Sequence, residues 1–215
     1  IKKYNVIPKK ITVLPSGSSI KINKYSRVYF NKRLKISYFG SISSSKGINT
    51  LIKLSKIDYR NDYYIYGGSR SEIRVMKNRH LNKNLYLNES IPYNELPATM
   101  MKMDILTIPY AKVVRSAGEV DDISNYTSPL KLFDYLAVGK IIISSNLKVL
   151  REVIGTKNAY FINNFENIFE WKKTIEIIKK NQNKSQIISK NNFDLSKKYH
   201  HKIRVQKYLW YLFQL

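Results

Sequence analysis

The sequence predicts an α/β fold: an open, mostly parallel sheet with helices on both faces. Three observations carry this. Short runs such as 141–144 (IIIS) are too continuously apolar to have a solvated face, as strands covered on both sides require. These runs alternate with segments of helical spacing along most of the chain. Glycine, serine and proline gather in the connections between them. With 215 residues, 43% of them apolar, and 17 tyrosines, the chain is long and apolar enough to bury a core and argues against global disorder.

Taken in order, residues 1–33 form a leading linker segment. It has a short strand over 11–14, a turn cluster at Pro15, Ser16 and Gly17, and a polar, basic stretch over 18–33. The alternation then occupies 34–194. Strands are expected over 34–39, 63–66, 84–87, 104–108, 141–144 and 159–162. Helices are expected over 47–56, 71–79, 94–103 (capped by Asn94), 129–138 (capped by Ser128), 147–153 and 165–181. Residues 195–215 read as one long, basic, aromatic closing helix. Sheets of this kind bind ligands beyond the carboxyl ends of their strands. The connections of interest are therefore 40–46, 67–70, 88–92 and 109–128, the last long enough to expect a role or disorder.

The stretch 128–140, SPLKLFDYLAVGK, organises the rest. Ser128 suits an N-cap and Pro129 the first helical position, where its missing N–H costs nothing. Leu130, Phe133 and Leu136 with Ala137 recur at helical spacing, and Gly139 suits the stop. A helix start with unsatisfied N–H groups and an adjacent lysine, Lys131, is an anion site. Asp134, a carboxylate one turn on, can accept from sugar hydroxyls. Phosphate beside ribose describes a nucleotide.

Charge and composition exclude other classes. There is no cysteine, so disulfides and thiolate metal sites are out and a reducing compartment fits. His80, His200 and His201 lack zinc-ligand spacing, and no metal is expected. No Ser/His/Asp or H-E-x-x-H pattern is present. No apolar run reaches the roughly 20 residues of a membrane span, and no signal peptide is visible. The formal charge of +23 has three competing sources: a Lys-, Asn- and Ile-rich background, attraction to an anionic membrane surface, and nucleic acid. The lysines are scattered without a long basic run, which places nucleic acid last.

Each candidate also has a plainer reading. The loop GSISSSKG, from Gly40, can bring backbone and Lys46 to a phosphate, or be a flexible connection with a solvated lysine. It has neither Walker nor G-x-G-x-x-G spacing. Lys131 alone reads first as a surface lysine, Gly67 and Gly68 as a turn, and Asp134 as an ordinary helical acid. Glu119, Asp121 and Asp122 form an acidic cluster in a basic chain, either a solvated loop or a sugar-facing one.

Five segments in order resemble the nucleotide-sugar-binding half of the GT-B glycosyltransferases of the group 1 family, also called family four. ITVLPSG (11–17) resembles the V-I-P-N-G linker between the two GT-B halves. YFGSISSSKGINTLI (38–52) resembles the G-R-L-x-x-x-K-G loop and its helix. YIYGG (64–68) resembles the strand and glycine that follow. LYLNESIPYNELPATMMKMDILTIPY (85–110) resembles the base-side loop and the strand ending in proline. SPLKLFDYLAVGKIIISSNLKVLREVI (128–154) resembles the S-P-L-K-L-F-E-Y-M-A-x-G-K-P-I-V-x-S subgroup.

The resemblance implies one Rossmann-like half of a GT-B fold and a retaining, metal-free transfer from a UDP- or GDP-sugar. It implies Lys46 and Lys131 as the catalytic cations on the donor diphosphate, with Gly40 backbone and Ser41 beside them. The turn of Ser128, Pro129 and Leu130 would lie on the distal phosphate, with Tyr126 and Thr127 before it. Asp134 would hold the ribose, Ser90 and Ile91 would read the base, Arg70 would pack beside it, and Gly67 would allow close approach.

The sequence departs from the family at four places. Ser41 stands where the loop usually carries arginine. Asp134 is one methylene shorter than the usual glutamate. Tyr126 stands eight residues before it, where an acid is usual, and Ile141 replaces a common proline. The resemblance also implies an acceptor half preceding the linker. A chain opening at Ile1 is therefore expected to be a fragment or processed, with that half supplied by a parent protein or partner chain and little transfer by this one. The closing helix would pack toward that half, or be an ordinary amphipathic end. The expected setting is cytoplasmic, peripheral at the inner membrane face, in polysaccharide biosynthesis as a hexosyltransferase on a glycan or lipid-linked acceptor. The alternative reading is a non-catalytic nucleotide- or sugar-binding module of the same fold.

Overall fold

The computed structural model describes residues 12–80, 82–116 and 120–213. Among them, six parallel strands form one sheet in the order β3-β2-β1-β4-β5-β6. The strands are β1 (Lys35–Phe39), β2 (Asp62–Tyr66), β3 (Leu85–Asn88), β4 (Ile105–Ile108), β5 (Ile141–Ser145) and β6 (Tyr160–Ile162). Helices α1 (Ile48–Ile57), α2 (Arg70–Arg79), α3 (Leu96–Met101), α4 (Leu130–Val138) and α5 (Lys148–Arg151) connect them, and α6 (Ile168–Lys180), α7 (Gln182–Ser196) and α8 (His201–Leu212) follow. This is the α/β, Rossmann-like sheet expected.

Alternation along the strands builds two cores. Ile36, Tyr38, Ile65, Ile105, Ile141 and Ile143 face Leu51 and Leu54 of α1 and Trp171, Ile175 and Ile178 of α6. Phe39, Leu106, Ile108 and Ile142 face Met100 of α3 and Leu132, Tyr135 and Leu136 of α4. All four residues of β4 and all five of β5 are buried, as central strands of such a sheet must be. The largest buried side chain, Trp171, also donates its indole N–H to the Phe165 carbonyl at 3.0 Å. Trp171→Ala is expected to cost about 3–5 kcal/mol in urea unfolding, with the m-value unchanged.

Several boundaries move. The strand expected over 11–14 is not formed in residues 12–14, and Ile11 lies outside the described residues, as does Glu119. The third helix is α3, capped by Glu95 rather than Asn94. Turns at Pro92 and Tyr93 take up its expected start and bonds from Lys102 and Met103 tighten its end. Helix α4 starts one residue late. Pro129, at ψ 88°, stands outside it as the cap residue, and its carbonyl accepts from Leu132. Leu130 is 62% exposed and not part of the buried stripe, which runs through Leu132, Phe133, Tyr135 and Leu136.

The single closing helix over 195–215 is also corrected. Residues 182–196 are already helical as α7, a 3-10 turn covers Lys197–Tyr199, and α8 starts after a break at His200. The break has a cause. His200 is extended (φ −70°, ψ 139°) and pairs in parallel with Ser18, whose N–H donates to the Tyr199 carbonyl and whose carbonyl accepts from His201. The stretch 18–33 carries no helix or strand, yet Ile20 and Val28 are buried, and Tyr25 contacts Gln186 and Ser189 of α7. No described helix is long and apolar enough to cross a membrane.

Candidate functional site

The sheet order reverses direction between β1 and β4, which opens a crevice at the carboxyl ends of those strands. Three strand ends are layered there by backbone bonds. Gly40 N–H donates to Tyr66, Gly67 N–H to Asn88, and Ser90 N–H to Gly68, at 3.0–3.1 Å. Gly67 permits this approach, because a Cβ on it would sit 1.8 Å from the Gly40 carbonyl oxygen. The result is a pocket of about 380 Å³, the size of small-molecule sites. Its floor holds the stacked rings of Phe39 and Tyr66, with centroids 4.7 Å apart.

The start of α4 forms one wall of this pocket. No side chain caps the helix, so its first amides lack a capping partner, and its first two residues, Leu130 and Lys131, line the pocket. Lys131 folds back across the end of β1. Its Nζ is buried, has no hydrogen-bond partner among the described residues, and lies 3.8 Å from the Tyr38 ring centroid and 5.1 Å from that of Tyr110. Gly40 makes room for it, since a Cβ there would lie 2.7 Å from that Nζ. Burial first, and Lys46 second, push Lys131 well below the ordinary lysine range. Lys46 reaches the same corner, with its Nζ 5.3 Å from the Tyr110 centroid and donating to the Arg115 carbonyl at 3.0 Å. Burial holds the Tyr110 hydroxyl up to about 12, so the ring stays neutral beside the two lysines.

Asp134 stands one turn beyond Lys131 on the same face. Its Oδ1 accepts from Ser18 Oγ at 2.6 Å and from Tyr93 Oη at 3.0 Å. Burial raises its pKa, against the lowering pull of those two bonds and of His201.

The pocket wall thus brings together Gly40, Ser41, Gly67, Ser90, Ile91, Leu130, Lys131 and Asp134. Lys46 is not on the wall, but lies close enough to Lys131 to act on it. Arg70, Tyr126, Thr127, Ser128 and Pro129 are not on the wall. Arg70 begins α2 behind a capping box of Ser69 and Glu72, Tyr126 donates to the Asp122 carbonyl, and Thr127 N–H donates to Ile123. The long connection 109–128 is folded where described, by an Arg115–Asp122 bridge and a bond from Val114 N–H to Ser124. Asp122 is held by Ser124 and lowered by it, away from the pocket wall. Sequence reasoning missed Tyr38, Tyr110, Ser18 and Tyr93. The tyrosines over 38–110 read as strand and loop residues, and only their shared proximity to Lys131 or Asp134 distinguishes them. A larger opening of about 660 Å³ lies at the amino ends of β1 and β2, lined by Lys32, Arg33, Arg60 and Lys179 among others. Its arginines pair with Asp62 and Glu176, so it offers less free charge than its size suggests.

The sequence profile of the family described as glycosyl transferases group 1 matches residues 21–194. No curated protein sequence matches the chain. The fold is similar to Anabaena Alr3699/HepE in complex with UDP and glucose, at TM-score 0.66 and 14% identity, covering 86% of this chain and 49% of that one. It is similar to a glycosyltransferase from Rickettsia africae, at TM-score 0.63 and 14% identity, covering 83% and 47%. It is also similar to the C-terminal domain of the group 1 family protein LpcC from Francisella tularensis, at TM-score 0.57 and 16% identity, covering 78% and 86%. The chain therefore spans about half the length of the first two structures.

Proposed function

The chain belongs to the group 1 glycosyl transferases, and on that premise we propose that it is the donor-binding half of a retaining glycosyltransferase using a UDP- or GDP-sugar. The observation that carries this reading is the buried Lys131 side chain, without a hydrogen-bond partner among the described residues, at the uncapped start of α4. A diphosphate is the ligand that would complete it. Lys131 and Lys46 neutralise its oxygens, Gly40, Ser41 and the turn of Ser128, Pro129 and Leu130 border them, and the helix dipole adds to the field. Asp134 accepts from the ribose hydroxyls. Ser90 and Ile91 lie where the base would sit, Gly67 leaves it room, and Arg70 approaches from outside. Tyr126 and Thr127 flank the sugar end.

In this reading, the bond between the sugar's anomeric carbon and the diphosphate oxygen breaks as that carbon bonds to an acceptor hydroxyl oxygen. The electron pair stays on the departing nucleoside diphosphate, which takes up the hydroxyl proton. The two lysines and the helix start stabilise that developing charge, without a metal. The acceptor, a glycan or lipid-linked molecule as in polysaccharide biosynthesis, is bound by a second half in the parent protein or a partner chain. Transfer by this half alone is expected to be low, because water is not excluded from the crevice. A cytoplasmic setting at the inner membrane face fits the net charge of +23, and sedimentation with anionic liposomes tests that attachment.

Calorimetry with UDP, GDP and their sugars is the direct test. One nucleoside diphosphate should bind, and Lys46→Ala should weaken it about fivefold to tenfold. Absence of binding by every one of them would overturn the reading. Ser41, in place of the usual arginine, leaves the pocket wall one cation short and favours the second reading, a non-catalytic nucleotide-sugar module. Labelled-sugar transfer by the parent protein would remove that alternative.

A further inference from the structure

We propose that Ser18 and Tyr93 are positioning residues that lock Asp134 as a reader of ribose hydroxyls, so that the pocket distinguishes ribonucleotides from deoxynucleotides. This rests on the donor reading above.

The geometry carries it. Both hydroxyls donate to one oxygen, Oδ1, at 2.6 and 3.0 Å, and among the described residues no bond is made to Oδ2. Each donor also accepts one bond, Ser18 Oγ from Ile20 N–H at 3.0 Å and Tyr93 Oη from Ser19 Oγ at 3.2 Å. That incoming hydrogen takes one lone-pair side of each oxygen and favours pointing the hydroxyl proton at the carboxylate. A group that receives two donors on one oxygen is held ionised and in one rotamer, with its second oxygen left to accept from a ligand. Ser18 is itself fixed from both sides, through backbone bonds to Tyr199 and His201. It comes from the segment before β1, Tyr93 from the turn before α3, and Asp134 from α4. Three separate pieces of chain therefore converge on one carboxylate at the pocket wall.

Around this carboxylate stand Tyr93, which donates to it, His201, whose ring donates to the Gly17 carbonyl, Tyr135 beside it on α4, and Lys131 one turn before it. Asp134 accepts from hydroxyls more strongly, and on both oxygens, when ionised, so ribose recognition weakens as pH falls through its pKa. Ser18 and Tyr93 hold that pKa down against burial. Removing either moves the acid limb of the affinity profile to higher pH.

The test is calorimetry of the full chain with UDP and 2′,3′-dideoxyUDP, and with the matching guanosine pair. The unaltered chain should prefer the ribonucleotide by about tenfold or more, the worth of a hydrogen bond to a charged group. Ser18→Ala and Tyr93→Phe should each shrink that preference by about threefold to tenfold, leave dideoxynucleotide affinity unchanged, and raise the acid limb. Ser18→Thr, which keeps the hydroxyl, should restore both. A preference that survives both variants, or an equal loss for both nucleotides, would overturn the clamp while leaving the donor site standing. No nucleotide binding by the unaltered chain would overturn the donor site, and the clamp with it.

Discussion

Lys131→Met is expected to abolish most donor binding while making the chain more stable. The Lys131 Nζ is buried, without a hydrogen-bond partner among the described residues, over the Tyr38 and Tyr110 rings. A cation in that position costs several kcal/mol unless an anion joins it, and ring faces return only about 0.5–2 kcal/mol. An apolar side chain of similar length keeps the packing and removes the penalty. Stability should rise by about 1–2 kcal/mol in urea unfolding, whereas UDP or GDP affinity should fall about 100-fold.

The same lysine dictates a pH dependence. Its pKa in the folded chain lies well below the ordinary value of about 10.4. Between those two values the unfolded chain binds the extra proton, so stability rises with pH across that window, and the rise should vanish in Lys131→Met. Binding runs the other way. A diphosphate recruits the protonated form, so affinity falls as pH rises through the depressed pKa. Titrations in buffers of different ionisation heat should show proton uptake on binding, and Lys131→Met should show less.

The second large effect is expected at Gly47→Ala. Gly47 has φ 75° and ψ 21°, closing the 3-10 turn Ser44–Lys46 and starting α1. A Cβ there would lie 1.5 Å from the Pro109 carbonyl oxygen and 2.5 Å from its carbon. Both atoms are backbone and cannot swing aside, and φ is unfavourable for any L side chain. The turn would have to part from the exit of β4, carrying Lys46 away from Tyr110. A loss of about 2–4 kcal/mol is expected, read as a fall of about 5–12 °C in Tm, together with weakened nucleotide binding. Gly155→Ala is the control: nothing lies within 4 Å of a Cβ there, and stability should change by no more than about 0.5 kcal/mol.

The sheet was legible because its strands are written in apolar letters with few exceptions: ILTI in β4, III opening β5. Helix α7 was not. Its buried face is Ser185, Ile188, Ser189, Asn192 and Phe193, and a stripe that is three-fifths polar does not register as a core face. The break at His200 was also hidden, since it is imposed by pairing with Ser18, 182 positions away in sequence by the difference of their numbers. Within the site, the segment SPLKLFDY located Lys131 and Asp134, because cap, lysine and acid have local spacing. What surrounds them comes from tertiary contact alone. Tyr38 is a strand residue whose ring happens to lie under an ammonium, and Ser18 belongs to a stretch whose composition suggests a connector.

The polar stripe on α7 bears on the aim of α4. Ser189 Oγ donates to the Gly139 carbonyl at 2.6 Å, and Asn192 Nδ2 to that of Lys140 at 2.9 Å, both at the far end of the site helix. A greasy seam would let one cylinder roll or slip on the other at little expense, since methyl groups find new neighbours easily. Directional bonds act as index pins instead, fixing the azimuth of α4 from behind, so that residues 131 and 134 keep pointing the same way whether or not a ligand is present.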